Sequence, residues 1–154
     1  MKLSEQNSGN ALSIIREAGL RATAARVSVL NVLLSTEYAL THNEIEKFVG
    51  INGGAMERVT LYRVLDWLVN QELAHKITSA DRVWRFNAQA RPTPHHAHFT
   101  CTHCNHMFCM FCLEKLSPTF ADMLPCGFHL TQADVLLQGV CSRCSHGSRR
   151  ESLR

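Results

Sequence analysis

The chain has 154 residues, 45% of them hydrophobic, a formal net charge of +3 at pH 7 and a pI of ≈ 8.6. That length accommodates one full domain or two small ones, and no apolar run approaches the roughly 18 residues needed to cross a bilayer. The polar start MKLSEQNSGN lacks the apolar stretch of a signal peptide, so a cytoplasmic protein without a membrane partner is expected, and its mild basicity permits nucleic-acid binding without arguing for it.

In chain order, Ile14, Ile15 and Ala18 predict a short helix stopped by Gly19. Thr23 suits the N-cap of a second helix, in which Val27, Leu30, Leu33 and Leu34 recur at helical spacing. Thr41-His-Asn-Glu44 is a capping-box pattern that opens a third helix through Phe48, and Gly53-Gly54 breaks the chain after it. Leu61, Val64, Leu65, Leu68 and Val69 mark the buried stripe of a fourth helix. Two β-prone stretches follow, His75–Thr78 and Arg82–Phe86, with Ser-Ala-Asp as the turn. Helices closed by a hairpin predict a winged helix-turn-helix over residues 1–86. The outward face of the fourth helix carries Thr60, Tyr62, Arg63, Trp67 and Asn70, with Arg58 at its start. Guanidinium and hydroxyl groups at a helix N-terminus suit a duplex groove, and they equally suit a solvated face.

Composition changes near residue 90. Residues 1–88 hold no cysteine and two histidines, whereas 95–146 hold all seven cysteines and seven of the nine histidines. Between them, Asn87-Ala-Gln-Ala-Arg-Pro-Thr-Pro94 predicts a hinge over 87–94, because its prolines disfavour helix. Beyond it, Phe99–Cys101, Met107–Phe111 and Leu130–Val140 read as strands, and Pro118 to about Leu124 as a helix capped by Ser117. This second domain spans 95–147, and the basic tail 148–154 is expected to be disordered. The fold class is therefore α+β.

Six cysteines fall in C-x-x-C pairs, which in a reducing compartment favour metal ligation over disulfides. Cys101, Cys104, Cys141 and Cys144 make a closed tetrahedral zinc set. The rival set, Cys101/Cys104 with Cys109/Cys112, leaves only four residues between its knuckles and Cys141/Cys144 without a role. His96 and His98 alternate on the strand entering the first knuckle, so their side chains share a face, and they are surplus to an all-thiolate site.

Gly19-Leu-Arg-Ala-Thr-Ala-Ala-Arg26, Arg58-Val-Thr-Leu-Tyr-Arg-Val-Leu65, His96-Ala-His98-Phe-Thr-Cys-Thr-His-Cys104 and the Cys141/Cys144 knuckle together resemble the ferric uptake regulator family, in order and approximate spacing over about residues 11–145. The resemblance implies a dimeric, metal-dependent transcription regulator with an N-terminal winged helix and a C-terminal α/β dimerisation domain. It implies that Tyr62 and Arg63 contact operator DNA and that Arg21 reaches the minor groove, with Arg58 and Thr60 beside them. It also favours the Cys101/Cys104/Cys141/Cys144 set as structural zinc.

Cys109 stands where relatives carry a carboxylate ligand, and thiolate with imidazole is a softer donor set that suits tetrahedral zinc. Iron- and peroxide-sensing relatives use a histidine before the third helix and a carboxylate just before the hinge. This chain has Ala39 at the first place, with His42 three residues on, and Arg85 near the second. Zinc-sensing relatives take a ligand at the start of the wing, where His75 stands. The resemblance thus falls on the zinc uptake regulator side, with His75, His96, His98 and Cys109 as the regulatory zinc ligands. His95, His103, His106 and His129 are read as bystanders, and Cys112 and Cys126 have no assigned role. Ala97 and Ala133 at ligand positions imply that the family's third metal site is absent or incomplete. An iron, manganese or peroxide sensor is the alternative within the family. A zinc hydrolase is the distant one, since Glu114 is the only carboxylate close in sequence to the cluster and no H-E-x-x-H occurs. No catalytic residue and no small-molecule substrate are expected.

Overall fold

The computed structural model describes residues 10–52, 54–78, 81–88, 95–110, 120, 122–131 and 133–148. The chain divides into two compact units, Met1–Pro92 and Thr93–Arg154.

In the first unit, α1 (Ala11–Glu17) is capped by Asn10, whose side chain accepts the Leu12 N–H. It ends at Gly19, whose φ of 70° lets the Gly19 and Leu20 N–H groups turn back to Arg16 and Ile15. Thr23 caps α2 (Ala24–Leu34), accepting the Arg26 N–H on Oγ1. The buried residues of α2 are Val29, Leu30, Val32 and Leu33, while Val27 and Leu34 are half-buried. A single stripe from Val27 to Leu34 was the expectation. It is broader because α2 packs against α1, α3, α4 and β3 at once.

Thr41 and Glu44 form the reciprocal capping box of α3 (His42–Ile51). Immediately before it lies β1 (Leu40–Thr41), which two residues of sequence do not announce. Leu61, Val64, Leu65 and Leu68 of α4 (Arg58–Asn70) are buried against the same core as Ile15, Leu30, Leu33, Leu40, Ile45 and Phe86. Antiparallel β2 (Ala74–Thr78) and β3 (Trp84–Ala88) pair from Ala74↔Ala88 to Thr78↔Trp84, and the sheet order is β1-β3-β2.

The expected strand 82–86 is shifted by two residues. Asn87 and Ala88, read as the start of the hinge, are strand because pairing with His75 and Ala74 engages their backbone. The rest of the hinge, 89–94, lies outside the described residues, as do Gly53 and the wing-turn residues 79–80.

In the second unit, β4 (His95–Cys101) is central, with antiparallel β5 (Met107–Met110) on one side and parallel β6 (Ala133–Gly139) on the other. It starts at His95 and so carries His96 and His98, as their alternation into the first knuckle predicts; β6 pairs along its whole length and β5 from Ala97. The short helix α5 (Ser142–Ser148), SRCSHGS, has no apolar periodicity and was not anticipated. Of the expected helix to Leu124, Phe120 and Asp122 are helical, whereas 111–119, with Cys112 and Glu114, and 121 lie outside the described residues. So does the tail beyond Ser148. Among the described residues, no helix is long and apolar enough to cross a membrane.

Candidate metal centres and nucleic-acid interface

The parallel pairing of β4 and β6 brings both terminal knuckles to one end of the sheet. Cys101 is the last residue of β4, in register with Gly139, and Cys141 follows β6 by two residues. A Cβ on Gly139 would approach the Phe99 ring to 3.2 Å, closer than ordinary van der Waals contact, so a larger residue there needs the ring to shift.

The first knuckle is folded by Asn105 N–H to Cys101 O and Cys101 N–H to His106 O, both 2.9 Å, with Asn105 at φ 56°. The second knuckle opens α5. The Cys141 carbonyl accepts the Ser145 N–H, and Cys141 and Cys144 stand one helical turn apart. All four Sγ atoms lie within 4.8 Å of one another, with Cys104 Sγ 3.9 Å from Cys141 Sγ. Zinc–thiolate bonds of about 2.3 Å in a tetrahedron set an S···S edge of about 3.8 Å. The donors present therefore fit zinc.

Their protonation agrees. The N–H groups of Cys104 and Cys141 bring the Cys101 thiol down to about 5, and the Cys141 N–H lies 3.4 Å from Cys101 Sγ. The Cys144 thiol is pushed up to about 12 by the neighbouring Cys141 thiol, then by burial. One thiolate is welcome in the protein alone. Four require a divalent cation among them.

A second donor pair lies on the same sheet. His98 and Cys109 are directly opposed across β4 and β5, 8% and 6% exposed, with Nδ1 and Sγ 3.7 Å apart. His96 is two residues earlier on β4, in backbone register with Asp134. His75 belongs to β2 of the first unit, opposite Asn87, and is half-buried. Arg85, considered at the carboxylate position, is taken up by Asp81 at 2.6 and 3.0 Å, which raises its pKa further.

The proposed DNA residues lie in the first unit. Thr60, Tyr62 and Arg63 are exposed on α4, and Arg21 is exposed in the loop between α1 and α2. Glu57, at the N-cap of α4, makes no side-chain cap hydrogen bond, so the helix N–H groups are not closed off by it. Arg58 is engaged: its Nε lies 3.2 Å from Glu46 and its Nη2 3.0 Å from Asn43, bracing α4 against α3.

Trp67 is not on the outward face as its position suggested. It is half-buried against the core, with the Arg26 guanidinium 3.7 Å above its ring. Sequence reading also missed Val59, 58% exposed at the start of α4, and His42, whose ring sits 4.3 Å from Tyr62 and 4.7 Å from Phe86. An apolar residue in the first turn of a polar helix face was the available signal for Val59.

Residues 17–135 match the family model "Ferric uptake regulator family". The chain is 30% identical over 134 residues to the transcriptional regulator FurA of Mycobacterium tuberculosis, covering 85% of this chain and 87% of that protein. It is 25% identical to the zinc uptake regulation protein of Escherichia coli K12, covering 85% and 77% respectively. A zinc uptake regulator solved with zinc and DNA shares the fold at a TM-score of 0.66 and 22% identity, over 97% of this chain and 99% of that one. The ferric uptake regulator of Helicobacter pylori shares it at 0.67 and 20% identity, over 94% and 97%. The ordered motifs, the two knuckles joined at one sheet end and these matches agree: the chain belongs to the ferric uptake regulator family, whose members are metal-responsive transcriptional regulators and not enzymes.

Proposed function

We propose that this regulator is a cytoplasmic, zinc-responsive repressor of metal-uptake genes that binds palindromic duplex DNA as a homodimer. The observation that carries the zinc assignment is the buried His98–Cys109 pair. Thiolate and imidazole favour zinc over the oxygen-rich sites of harder cations. His96 and His75 complete the regulatory set, whereas Cys101, Cys104, Cys141 and Cys144 hold the structural zinc. The named zinc regulators among the relatives support this reading.

DNA binding rests on α4. Its uncapped N-terminus and exposed Thr60, Tyr62 and Arg63 offer donors and a ring to a groove, while Arg21 adds charge from the neighbouring loop. The homodimer is supported by edge strand β6, where Leu136 and Leu137 are 46% and 45% exposed, with Val140 beyond it.

On this reading metal binding is coupled to the separation of the two α4 helices of the homodimer. Half-sites about 34 Å apart per helical turn reward the correct separation. Such coupling is typically worth roughly 1–3 kcal/mol, about 5–150-fold in DNA affinity, and is reciprocal.

Zinc titrated into the protein with a duplex selected from a random pool tests the reading. Wild type should tighten with zinc, while Cys109→Ser and His98→Ala should lose that response and keep the structural zinc. An unchanged zinc response in both variants sinks the regulatory site. Activation by iron or manganese in place of zinc moves the protein to the other sensing class.

A further inference from the structure

Arg26 and Trp67 have no part in the function proposed above, yet they link its two DNA-facing elements. Arg26 lies in the first turn of α2, and its backbone N–H is held by Thr23 Oγ1 at 3.4 Å. Its guanidinium does two things at once. Nη1 donates to the Arg21 carbonyl at 2.7 Å, and Cζ sits over the Trp67 ring, 3.7 Å from its centroid. Trp67 is anchored by packing against the core and stands on α4 one turn after Arg63. A continuous path therefore runs from the backbone of Arg21, through the Arg26 guanidinium and the indole, to the helix carrying Tyr62 and Arg63.

We infer that the Arg26–Trp67 stack is a positioning device. It fixes the loop bearing Arg21 at a set offset from the outward face of α4, so that loop and helix meet the duplex as one surface. The inference rests on the DNA-binding reading proposed above and adds Arg26 and Trp67 to it as positioning residues. The chemistry suits this task better than an ion pair. A carboxylate partner would cancel the guanidinium charge beside a polyanion, whereas an aromatic face attracts it and leaves the charge in place. Arginine is also required. Only a planar, multi-donor cation lies flat on a ring while donating sideways to a carbonyl, and lysine has one compact ammonium for both tasks.

The test uses the full-length, zinc-loaded protein and a duplex selected by wild type from a random pool. Affinity is measured across a salt series for wild type, Arg21→Ala, Trp67→Ala, Arg26→Lys and the doubles that combine Arg21→Ala with each of the other two. One lost phosphate contact lowers the slope of log affinity against log salt by about 0.9. Arg21→Ala should show that loss. Trp67→Ala and Arg26→Lys should show most of it while Arg21 itself is intact, and each double should bind no worse than Arg21→Ala alone.

Losses that multiply in full in the doubles, or single variants with the wild-type slope, overturn the inference, as does an Arg21→Ala slope equal to wild type. Arg26→Lys keeps the charge and leaves the core untouched, so it decides the matter even if Trp67→Ala does not fold. Failure of wild type to enrich any duplex sinks the DNA-binding reading itself, a different result from additive losses in a protein that binds.

Discussion

His42 shows how one side chain ties the β2–β3 hairpin to α4. Its imidazole packs edge-on to buried Phe86 and tilted against exposed Tyr62. Burial lowers its pKa below the ordinary 6.5, and the positive charges of Lys76 and Arg58 lower it further against the opposing pull of Asp66. A folded-state pKa below the unfolded one gives stability that is full above about pH 6.5 and is lost as pH falls through the folded value. His42→Phe keeps a ring of similar shape without a proton site. Wild type should therefore lose unfolding free energy relative to His42→Phe as pH falls from 7.5 to 5, in denaturant titrations followed on the first unit. Parallel pH profiles would remove the assignment. None of this was legible in the sequence, where His42 stood out only by its distance from Ala39. The partners that shift it come from α4, β2 and β3 and meet only in the fold.

Elements differ in how much their own sequence decides. The start of α3 is local: Thr41 Oγ1 accepts the Glu44 N–H while Glu44 accepts the Thr41 N–H, and both residues were readable from their spacing. Thr41→Ala removes the cap and should cost about 1 kcal/mol, within a range of roughly 0.5–2, seen as a lower denaturation midpoint for the first unit. A change below about 0.3 kcal/mol would mean that water replaces the cap fully. By contrast β1 and the extension of β3 through Ala88 exist because a partner strand is there. Trp67 misled for the same reason. Its place on the helical wheel points outward, and Arg26 covers it.

At the scale of the molecule, the four-cysteine set was legible because ligand spacing is local within each knuckle. Choosing Cys141/Cys144 over Cys109/Cys112 as partners of Cys101/Cys104 is a matter of topology, and the parallel β4–β6 pairing supplies it. The two units also hold together by different means. The first has a continuous apolar core from Ala11 to Ala88 and no cysteine. In the second, Leu136, Leu137 and Phe128 stay 45% or more exposed and the knuckles gather around four thiols.

Zinc in such sites contributes on the order of 10–16 kcal/mol in isolated fingers. A strong chelator under reducing conditions, or Cys101→Ser, should therefore melt the second unit while amide exchange in α2 and α4 stays protected. Loss of protection in both units together would show that the metal supports the whole chain. Acidification should release the metal as thiolates and imidazoles take up protons.

The distance along the chain between the knuckles sets an order of events. Cys104 and Cys141 are 37 residues apart, and β4 waits for β6 across the same gap. The first unit lies wholly before Cys101, and domains close from the N-terminus as synthesis proceeds. As the chain leaves the ribosome, the first unit can be complete while the four-cysteine cluster still lacks half its sulfur. A cell short of zinc would then hold molecules whose first unit is finished and whose second is still open to proteases. The ion would set the lifetime of the regulator as well as its activity.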